Sequence, residues 1–174
     1  GMGSSRMKNT KATIILDSSD LAVMGFFEIL KVYPKLLKSL NIMKKSISVV
    51  KPDLLVLIDY QEFNMKLAKY AKLNGIKVLF YISPQVWAWR EKRIKNIKNY
   101  IDEMAVIFPF ENKYYENLGI NSHYVGHPLI EDNNYSKNYA SDKNHIGFFP
   151  GSRMNEVKKH IPIIKQAIEI LHKK

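Results

Sequence analysis

A repeated alternation of strand-length apolar runs with helix-length amphipathic segments restricts the fold of this chain more than any other feature. The run Leu54–Ile58 contains no polar residue, which is typical of a parallel strand covered on both faces. Parallel strands joined by helices form an α/β fold, and we expect a doubly wound parallel sheet. The strand patterns cover residues 54–58, 76–82, 104–108 and 122–125, and the helical patterns cover 62–73, 90–100 and 110–118.

The composition is that of an ordinary folded protein. The 174 residues are 46% hydrophobic and 25% charged, which excludes intrinsic disorder and low-complexity classes. No apolar run reaches the roughly 18 residues of a membrane-spanning helix, and no signal pattern opens the chain, so we expect a cytoplasmic location. Cysteine is absent, which excludes disulfides, thiolate metal sites and a Cys nucleophile.

The net charge of +11 would suit a partner that carries phosphate, such as nucleic acid, an anionic membrane or a phosphorylated small molecule. Lysine supplies 23 of the basic residues and arginine only 4, a bias that an AT-rich coding sequence produces by itself. No recognisable nucleic-acid module accompanies the charge. We therefore expect no nucleic-acid partner.

The chain divides by composition into four parts. Residues 1–11 are polar, and Gly1 before Met2 resembles a remnant of tag removal, so we expect a leader outside the fold. Residues 12–131 hold most of the alternating pattern and open with a β-branched run over 12–16. Residues 132–144 are rich in Asn, Ser and Lys and predict a linker. Residues 145–174 predict a strand over 145–149 and a helix over 155–172, the start of a second domain.

The segment from residue 24 to residue 40 carries a broad apolar surface flanked by lysines. Pro34 lies inside it and predicts a break in the helix. Two interpretations stay open, namely a pair of ordinary core helices and an interfacial helix pair on a membrane surface. The apolar residues of interest for membrane docking are Met24, Phe26, Phe27, Leu30 and Leu37.

Asp59 directly follows the buried strand and is the first candidate for chemistry. Ligands of open α/β sheets bind at the carboxyl ends of the strands, where a carboxylate can act as a general base. An N-cap role for the following helix explains Asp59 equally well. Glu62 and Asn64 lie one turn further on, where they could cap the helix or contact substrate.

Three further stretches are candidates. In the loop from Ser83 to Arg90, the two tryptophans can stack on a sugar or a lipid, or anchor the loop in the core. His127 can act as acid, base or phosphate ligand, or make a structural hydrogen bond. The turn from residue 150 to residue 156 offers free backbone N–H groups and Arg153 to a diphosphate.

Taken in order, these stretches resemble the motifs of lipid-A-disaccharide synthase. The block from Ser83 to Arg90, Ser-Pro-Gln-Val-Trp-Ala-Trp-Arg, is the most specific of them. The resembling residues are Ala22–Leu30, Ile58-Asp59 with Phe63-Asn64, Tyr81–Arg90, Phe108–Glu111, Tyr124–Leu129 and Phe149–Arg153.

The resemblance implies an inverting glycosyltransferase with two Rossmann-like domains facing a cleft, the GT-B arrangement. Such enzymes join UDP-2,3-diacylglucosamine to 2,3-diacylglucosamine 1-phosphate, which forms the β-1,6 disaccharide of lipid A. Asp59 would be the base and Arg153 the cation at the diphosphate. No metal and no cofactor is implied, and homo-oligomers are possible. The substrate-binding residues would be Asn64, Ser83, Gln85, Trp87, Trp89, Arg90, His127, Gly151, Ser152 and Glu156.

The resemblance also implies a location on the cytoplasmic side of the inner membrane of a Gram-negative bacterium, with residues 24–40 docked on anionic lipid. The family's opening Gly-Glu-Ala-Ser-Gly-Asp loop and most of its second domain have no counterpart here, so we expect an inactive or partial fragment. Tyr60-Gln61-Glu62 stands where the family usually has Ala-Pro-Asp. The alternatives are another UDP-sugar GT-B enzyme and a non-catalytic module that binds membranes.

Overall fold

The structure, a computed structural model, describes residues 1–18, 26–86, 93–130, 146–152 and 154–172, with the side chains of residues 5, 6 and 26–32 left outside the description. The chain forms two compact units, Gly1–Asp132 and Asn133–Lys174. The strands of the first unit are β1 (Met2–Gly3), β2 (Leu16–Asp17), β3 (Leu54–Ile58), β4 (Lys77–Tyr81), β5 (Glu103–Val106) and β6 (Ser122–Tyr124). Its helices are α1 (Phe26–Val50), α2 (Gln61–Leu73), α3 (Ile94–Tyr100) and α4 (Pro109–Asn117), and α5 (Met154–His172) lies in the second unit.

The main sheet has four parallel strands in the order β3-β4-β5-β6, which confirms the predicted α/β fold. Helices α2 and α4 connect neighbouring strands, as in Rossmann-like βαβ units. Leu57 lies opposite Phe80, and Phe80 lies opposite Met104, on the face that the helices cover. All three side chains are buried, so this face carries the core.

The other face of the sheet differs from the expectation for β3. Leu54, Val56 and Ile58 are each about half exposed, so β3 is covered on one face only within the described residues. Strands that pair in chain order place their right-handed crossover helices on one side, which explains the uncovered face. The apolar run Leu54–Ile58 predicted the strand, but it did not predict whether helices cover one face of the sheet or both.

Helix α1 runs unbroken through Pro34, so the predicted break is wrong. Proline's fixed φ is compatible with a helix, although the ring removes one hydrogen bond. From Ser39 onward the helix buries one stripe, which includes Leu40, Met43 and Ile47 and packs towards α2. This packing offsets the local cost of Pro34, and it supports the core interpretation for the C-terminal half of α1.

Residues 1–11, expected to lie outside the fold, have defined structure. Met2–Gly3 pairs in parallel with Leu16–Asp17, and Ser5–Asn9 forms a 3-10 helix. Met2 and Leu16 also pack against the core. Of the strand predicted over residues 12–16, only Leu16 lies in a strand, the two-residue β2. Its partner β1 is also two residues long, so it offers residues 12–15 no pairing positions.

The second unit consists, among its described residues, of the turn before α5 and the helix itself. The predicted strand over 145–149 is absent from residues 146–149, since no described segment of this unit offers it a neighbouring strand. Helix α5 forms as predicted, yet it has no buried residue. Its pattern therefore predicted the helix, and the described residues of this unit bury none of its side chains.

Candidate functional site

The turn between β3 and α2 places Asp59 at the carboxyl edge of the sheet in a strained backbone conformation. Asp59 and Tyr60 have φ values of 48° and 39°, in the left-handed region that non-glycine residues rarely adopt. Tyr60 occupies the N-cap position of α2 and makes no side-chain capping bond. The capping interpretation of Asp59 is therefore not what the structure shows, and its carboxylate is exposed at the edge.

Asn64 holds this turn in place. Its side chain is buried, and its Nδ2 donates to the carbonyl oxygens of Ile58 at 3.0 Å and Asp59 at 2.7 Å. Both acceptors lie at the start of the strained turn, so the two hydrogen bonds from one side-chain amide offset part of the free-energy cost of its backbone conformation. Asn64 was expected to contact substrate, but the structure gives it a positioning role behind Asp59.

A cleft of about 510 Å³ opens beside the turn, at the carboxyl ends of β3 and β4. Such a volume suits a small ligand. Six of the eight lining side chains are polar or charged, and three of these, Asp59, Ser83 and Gln85, were predicted as site residues from the sequence. The lining residues are Asp59, Gln61, Glu62, Ile82, Ser83, Pro84, Gln85 and Arg93.

The wall after β4 is fixed by a buried network that reaches it from α4. Ser83 Oγ donates to Glu111 Oε1 at 2.8 Å, and Glu111 Oε2 accepts from the Phe108 amide at 3.2 Å. The Tyr115 hydroxyl donates to the Pro84 carbonyl oxygen. Glu111 and Tyr115 are almost fully buried. They were missed as site residues, because nothing local in the sequence connects them with a loop 28 and 31 residues away.

Burial raises the pKa of the Tyr115 hydroxyl well above its usual range, and the nearby Glu111 carboxylate raises it further, although a hydrogen bond with Ser83 opposes the shift. The hydroxyl therefore stays protonated at physiological pH. It can act as a permanent donor to the loop carbonyl.

Arg93 and Glu62 form an ion pair across the cleft mouth, between α2 and the start of α3. The Arg93 side chain is 24% exposed and the Glu62 side chain 69% exposed. Gln61 lies beside them, and its Nε2 atom is buried without a hydrogen-bond partner among the described residues. Sequence reasoning missed both residues, since Arg93 follows the last motif residue, Arg90, and Gln61 stands where this chain departs from the family's pattern.

His127 lies at the far end of the same sheet edge. Its Nδ1 accepts from the Leu129 amide at 3.2 Å, and its ring contacts Phe108 with 5.7 Å between centroids. Asp59 follows β3 and His127 follows β6, so about three strand spacings, roughly 14 Å, separate the two positions. The structure does not bring His127 into the cleft.

In the second unit, the turn before α5 is shaped by Gly151. Its φ is 103°, and a Cβ atom there would lie 2.8 Å from Glu156 Oε2. Glu156 therefore closes over the glycine, while Ser152 is exposed. His160 Nδ1 lies 2.7 Å from the Pro150 carbonyl oxygen and ties the turn to the helix. Only glycine fits this position without displacing Glu156.

Several predicted site residues lie outside what the structure describes. Arg153, Trp87, Trp89 and Arg90 fall in this group, and so does Met24. The backbone of α1 includes Phe26, Phe27 and Leu30, but their side chains are not described. Leu37 is described and is 38% exposed. No helix among the described residues is long and apolar enough to cross a membrane.

Comparison with known proteins places the whole chain in one group. The family model described as lipid-A-disaccharide synthetase matches residues 1–174, including the first eleven. The chain is 41% identical over 180 residues to a lipid-A-disaccharide synthase of Trichlorobacter lovleyi, covering 98% of this chain and 47% of the relative.

Two further relatives show the same coverage. Lipid-A-disaccharide synthase 1 of Legionella pneumophila is 42% identical over 181 residues, with 98% of this chain and 47% of the relative covered. The enzyme of Coxiella burnetii is 41% identical over 180 residues, with 98% and 48% covered. The chain thus spans about half the length of the curated relatives that it matches.

Proposed function

This chain belongs to the lipid-A-disaccharide synthetase family, and we propose that it provides the acceptor side of an inverting glycosyltransferase. The donor is UDP-2,3-diacylglucosamine and the acceptor 2,3-diacylglucosamine 1-phosphate. The acceptor 6-hydroxyl oxygen attacks the anomeric carbon of the donor, the bond from that carbon to UDP breaks, and a β-1,6 disaccharide 1-phosphate forms.

The observation that carries the proposal is the position of Asp59. Its exposed carboxylate stands at the end of a parallel strand, on the lip of a polar cleft. As general base, Asp59 takes the proton of the acceptor 6-hydroxyl while the new C–O bond forms. Asn64 holds the turn that points this carboxylate at the cleft.

The loop after β4 forms the second wall. Ser83 and Gln85 line the cleft. We assign Trp87, Trp89 and Arg90, which belong to the same sequence motif, to contacts with the sugars. The buried Ser83 hydroxyl serves the loop itself through Glu111, so Gln85 is the better placed of the two to contact substrate. His127 has a structural role on this proposal.

The turn of the second unit is assigned to the donor. Arg153 supplies positive charge to the departing diphosphate, helped by the backbone amides of Gly151 and Ser152. Glu156 packs over Gly151 and shapes the turn. Cationic side chains and helix N-termini can stabilise a leaving UDP, so the proposal includes no metal.

We also propose that α1 and the residues before it dock on anionic lipid, where acylated substrates reside. The supporting observation is that Leu37 is exposed next to the exposed lysines Lys35 and Lys38. Vesicle sedimentation tests this. Leu37→Ser should lower binding to anionic vesicles, whereas Leu73→Ser, at the exposed end of α2, should not. Equal effects would contradict the assignment.

The central test is Asp59→Asn in the polypeptide extended to the length of its relatives. Loss of a general base should lower kcat by about 10²- to 10⁴-fold, measured as acylated disaccharide 1-phosphate by mass spectrometry. Asp53→Asn is the matched control, because Asp53 precedes the same strand at its opposite end. Unchanged turnover in Asp59→Asn would overturn the assignment.

We infer that the 174-residue chain by itself has little or no transferase activity, since catalysis needs both substrates held in register. The same assay on this chain and on the extended polypeptide tests that inference. Product from the extended polypeptide alone is expected. Product from the short chain would contradict it.

A further inference from the structure

The cleft beside Asp59 continues away from the strand ends. Two smaller cavities, of about 80 and 250 Å³, follow it into the groove between α2 and α3. Glu62 lines all three spaces, and Gln61 and Arg93 line the first two. These three residues therefore stand where the base-bearing cleft meets the groove.

We propose that Arg93 and Gln61 form a subsite for the phosphate monoester of the sugar acceptor, and that Glu62 holds Arg93 in place while the subsite is empty. This proposal rests on the proposed function. It adds the part of the cleft that recognises the anionic group of the acceptor, beside the 6-hydroxyl that reacts.

The ion pair is built so that a ligand can replace it. Glu62 is mostly exposed, and an exposed ion pair contributes little free energy. Arg93 is mostly covered, so its planar guanidinium is held at a defined place. A phosphate dianion carries more charge than a carboxylate and accepts two parallel N–H bonds from arginine.

Gln61 supplies an independent observation. Its Nε2 is buried and has no hydrogen-bond partner in the part of the chain that the structure describes, and such a donor costs free energy in the empty protein. Gln61 lines both the cleft and the cavity of about 80 Å³, so a ligand in either space lies next to this side chain. An unsatisfied donor next to an arginine is complementary to an anion with several acceptor oxygens.

The chemistry of the acceptor matches this division. In a hexopyranose 1-phosphate, C1 carries the phosphate and C5 carries the CH₂OH group with the 6-hydroxyl, and these two carbons flank the ring oxygen. The cleft likewise has a carboxylate at the strand end and a guanidinium at the helix side. A phosphate on Arg93 would fix the ring so that the 6-hydroxyl faces Asp59.

Calorimetric binding of glucosamine 1-phosphate and of UDP to the polypeptide extended to the length of its relatives tests the proposal without turnover. Arg93→Ala should lower the affinity for glucosamine 1-phosphate at least tenfold and leave the affinity for UDP unchanged. Lys95→Ala, which removes the same charge from the exposed side of α3, should change neither. If Arg93→Ala lowered the affinity for UDP instead, Arg93 would belong to the donor site. If neither affinity changed, Arg93 would have only a structural role. Either result overturns the proposal.

Two more variants separate binding from folding. Glu62→Gln removes the competing carboxylate and should tighten glucosamine 1-phosphate two- to fivefold. Gln61→Leu removes the unsatisfied donor, so it should raise the melting temperature by about 2 °C while weakening the ligand several-fold. Weaker binding in Glu62→Gln, or unchanged binding in Gln61→Leu, would contradict the subsite.

Failure of the proposed function can be told apart from failure of this inference. Asp59→Asn should lose transfer and keep its affinity for glucosamine 1-phosphate. Full transferase activity in Asp59→Asn would overturn the assignment of Asp59 as general base. The affinity of Arg93→Ala for glucosamine 1-phosphate would still test the phosphate subsite.

Discussion

The two walls of the cleft are held in different ways. The wall after β3 is strained at Asp59 and Tyr60 and is tied by Asn64, five or six residues further along the chain. In the wall after β4, the described residues 82–86 include one left-handed residue, Ile82 with φ 63°, and Glu111 and Tyr115 from α4 tie the wall in place. One wall is thus stabilised locally and the other by a distant part of the fold.

This difference shows how the protein presents a carboxylate and a polar loop at one edge. A local bond can hold a short turn, because the turn and its helix are already adjacent. The longer loop after β4 needs a tie from another βα unit, and such a tie forms only when strands β4 and β5 pair. The geometry of the cleft therefore depends on the pairing of β3, β4 and β5 and on the packing of α4.

The largest effect should come from Glu111→Ala. The change leaves Ser83 Oγ and the Phe108 amide without their acceptor and opens a cavity in the core. We expect a loss of about 3 kcal/mol in the free energy of unfolding, measured by urea denaturation. A loss smaller than that of Asn64→Ala would break the comparison, because the distant tie would then be the weaker one.

Asn64→Ala should cost about 2 kcal/mol, since two backbone carbonyls lose their shared donor and the strained turn loses its restraint. Asn64→Asp is the informative companion, because a carboxylate cannot donate to either carbonyl. Both variants should also lower turnover in the extended polypeptide. Wild-type stability in Asn64→Asp would show that the turn does not need the amide.

Tyr115→Phe should cost about 1 kcal/mol at neutral pH through the lost bond to Pro84. A raised pKa in the folded state means that folding retains a proton that the unfolded chain releases above pH 10. Stability from Tyr115 is therefore complete below pH 10 and falls as pH rises further. Urea midpoints between pH 8 and pH 11 should decline less steeply in Tyr115→Phe; parallel curves would contradict the assignment.

The smallest effect on stability should come from Asp59→Asn. The side chain is exposed, and asparagine tolerates the left-handed region as well as aspartate does. We expect the free energy of unfolding to stay within about 0.5 kcal/mol of the wild type. Such a result would show that any loss of turnover comes from the missing charge. A large loss of stability would make Asp59 part of the restraint on the turn.

Much of the fold followed from local pattern. The apolar run Leu54–Ile58 predicted β3, and the helical spacing over residues 62–73 predicted α2 (Gln61–Leu73) to within one residue. The end of α2 was predicted by Asn74-Gly75, where Gly75 adopts φ 74°. Asp59 was predicted as a site residue by the same reasoning, since it follows a buried strand.

The errors have a common physical cause. The strand pattern at residues 146–149 and the short β2 lack described neighbours of sufficient length, and a strand exists only through pairing. Pro34 predicted a break that packing of α1 prevented. Each case depends on what another segment of the chain provides, which local pattern does not contain.

Sequence alone therefore determined the central strands, the helices other than the continuity of α1, and the place of Asp59 after β3, because periodicity and residue type act over a few neighbouring positions. Only the tertiary structure decided that Glu111 and Tyr115 fix the loop after β4, and that Arg93 and Gln61 meet the same cleft. Contacts between residues about 30 positions apart arise from strand pairing and helix packing. Those contacts turn a carboxylate at a strand end into one wall of a shaped cleft.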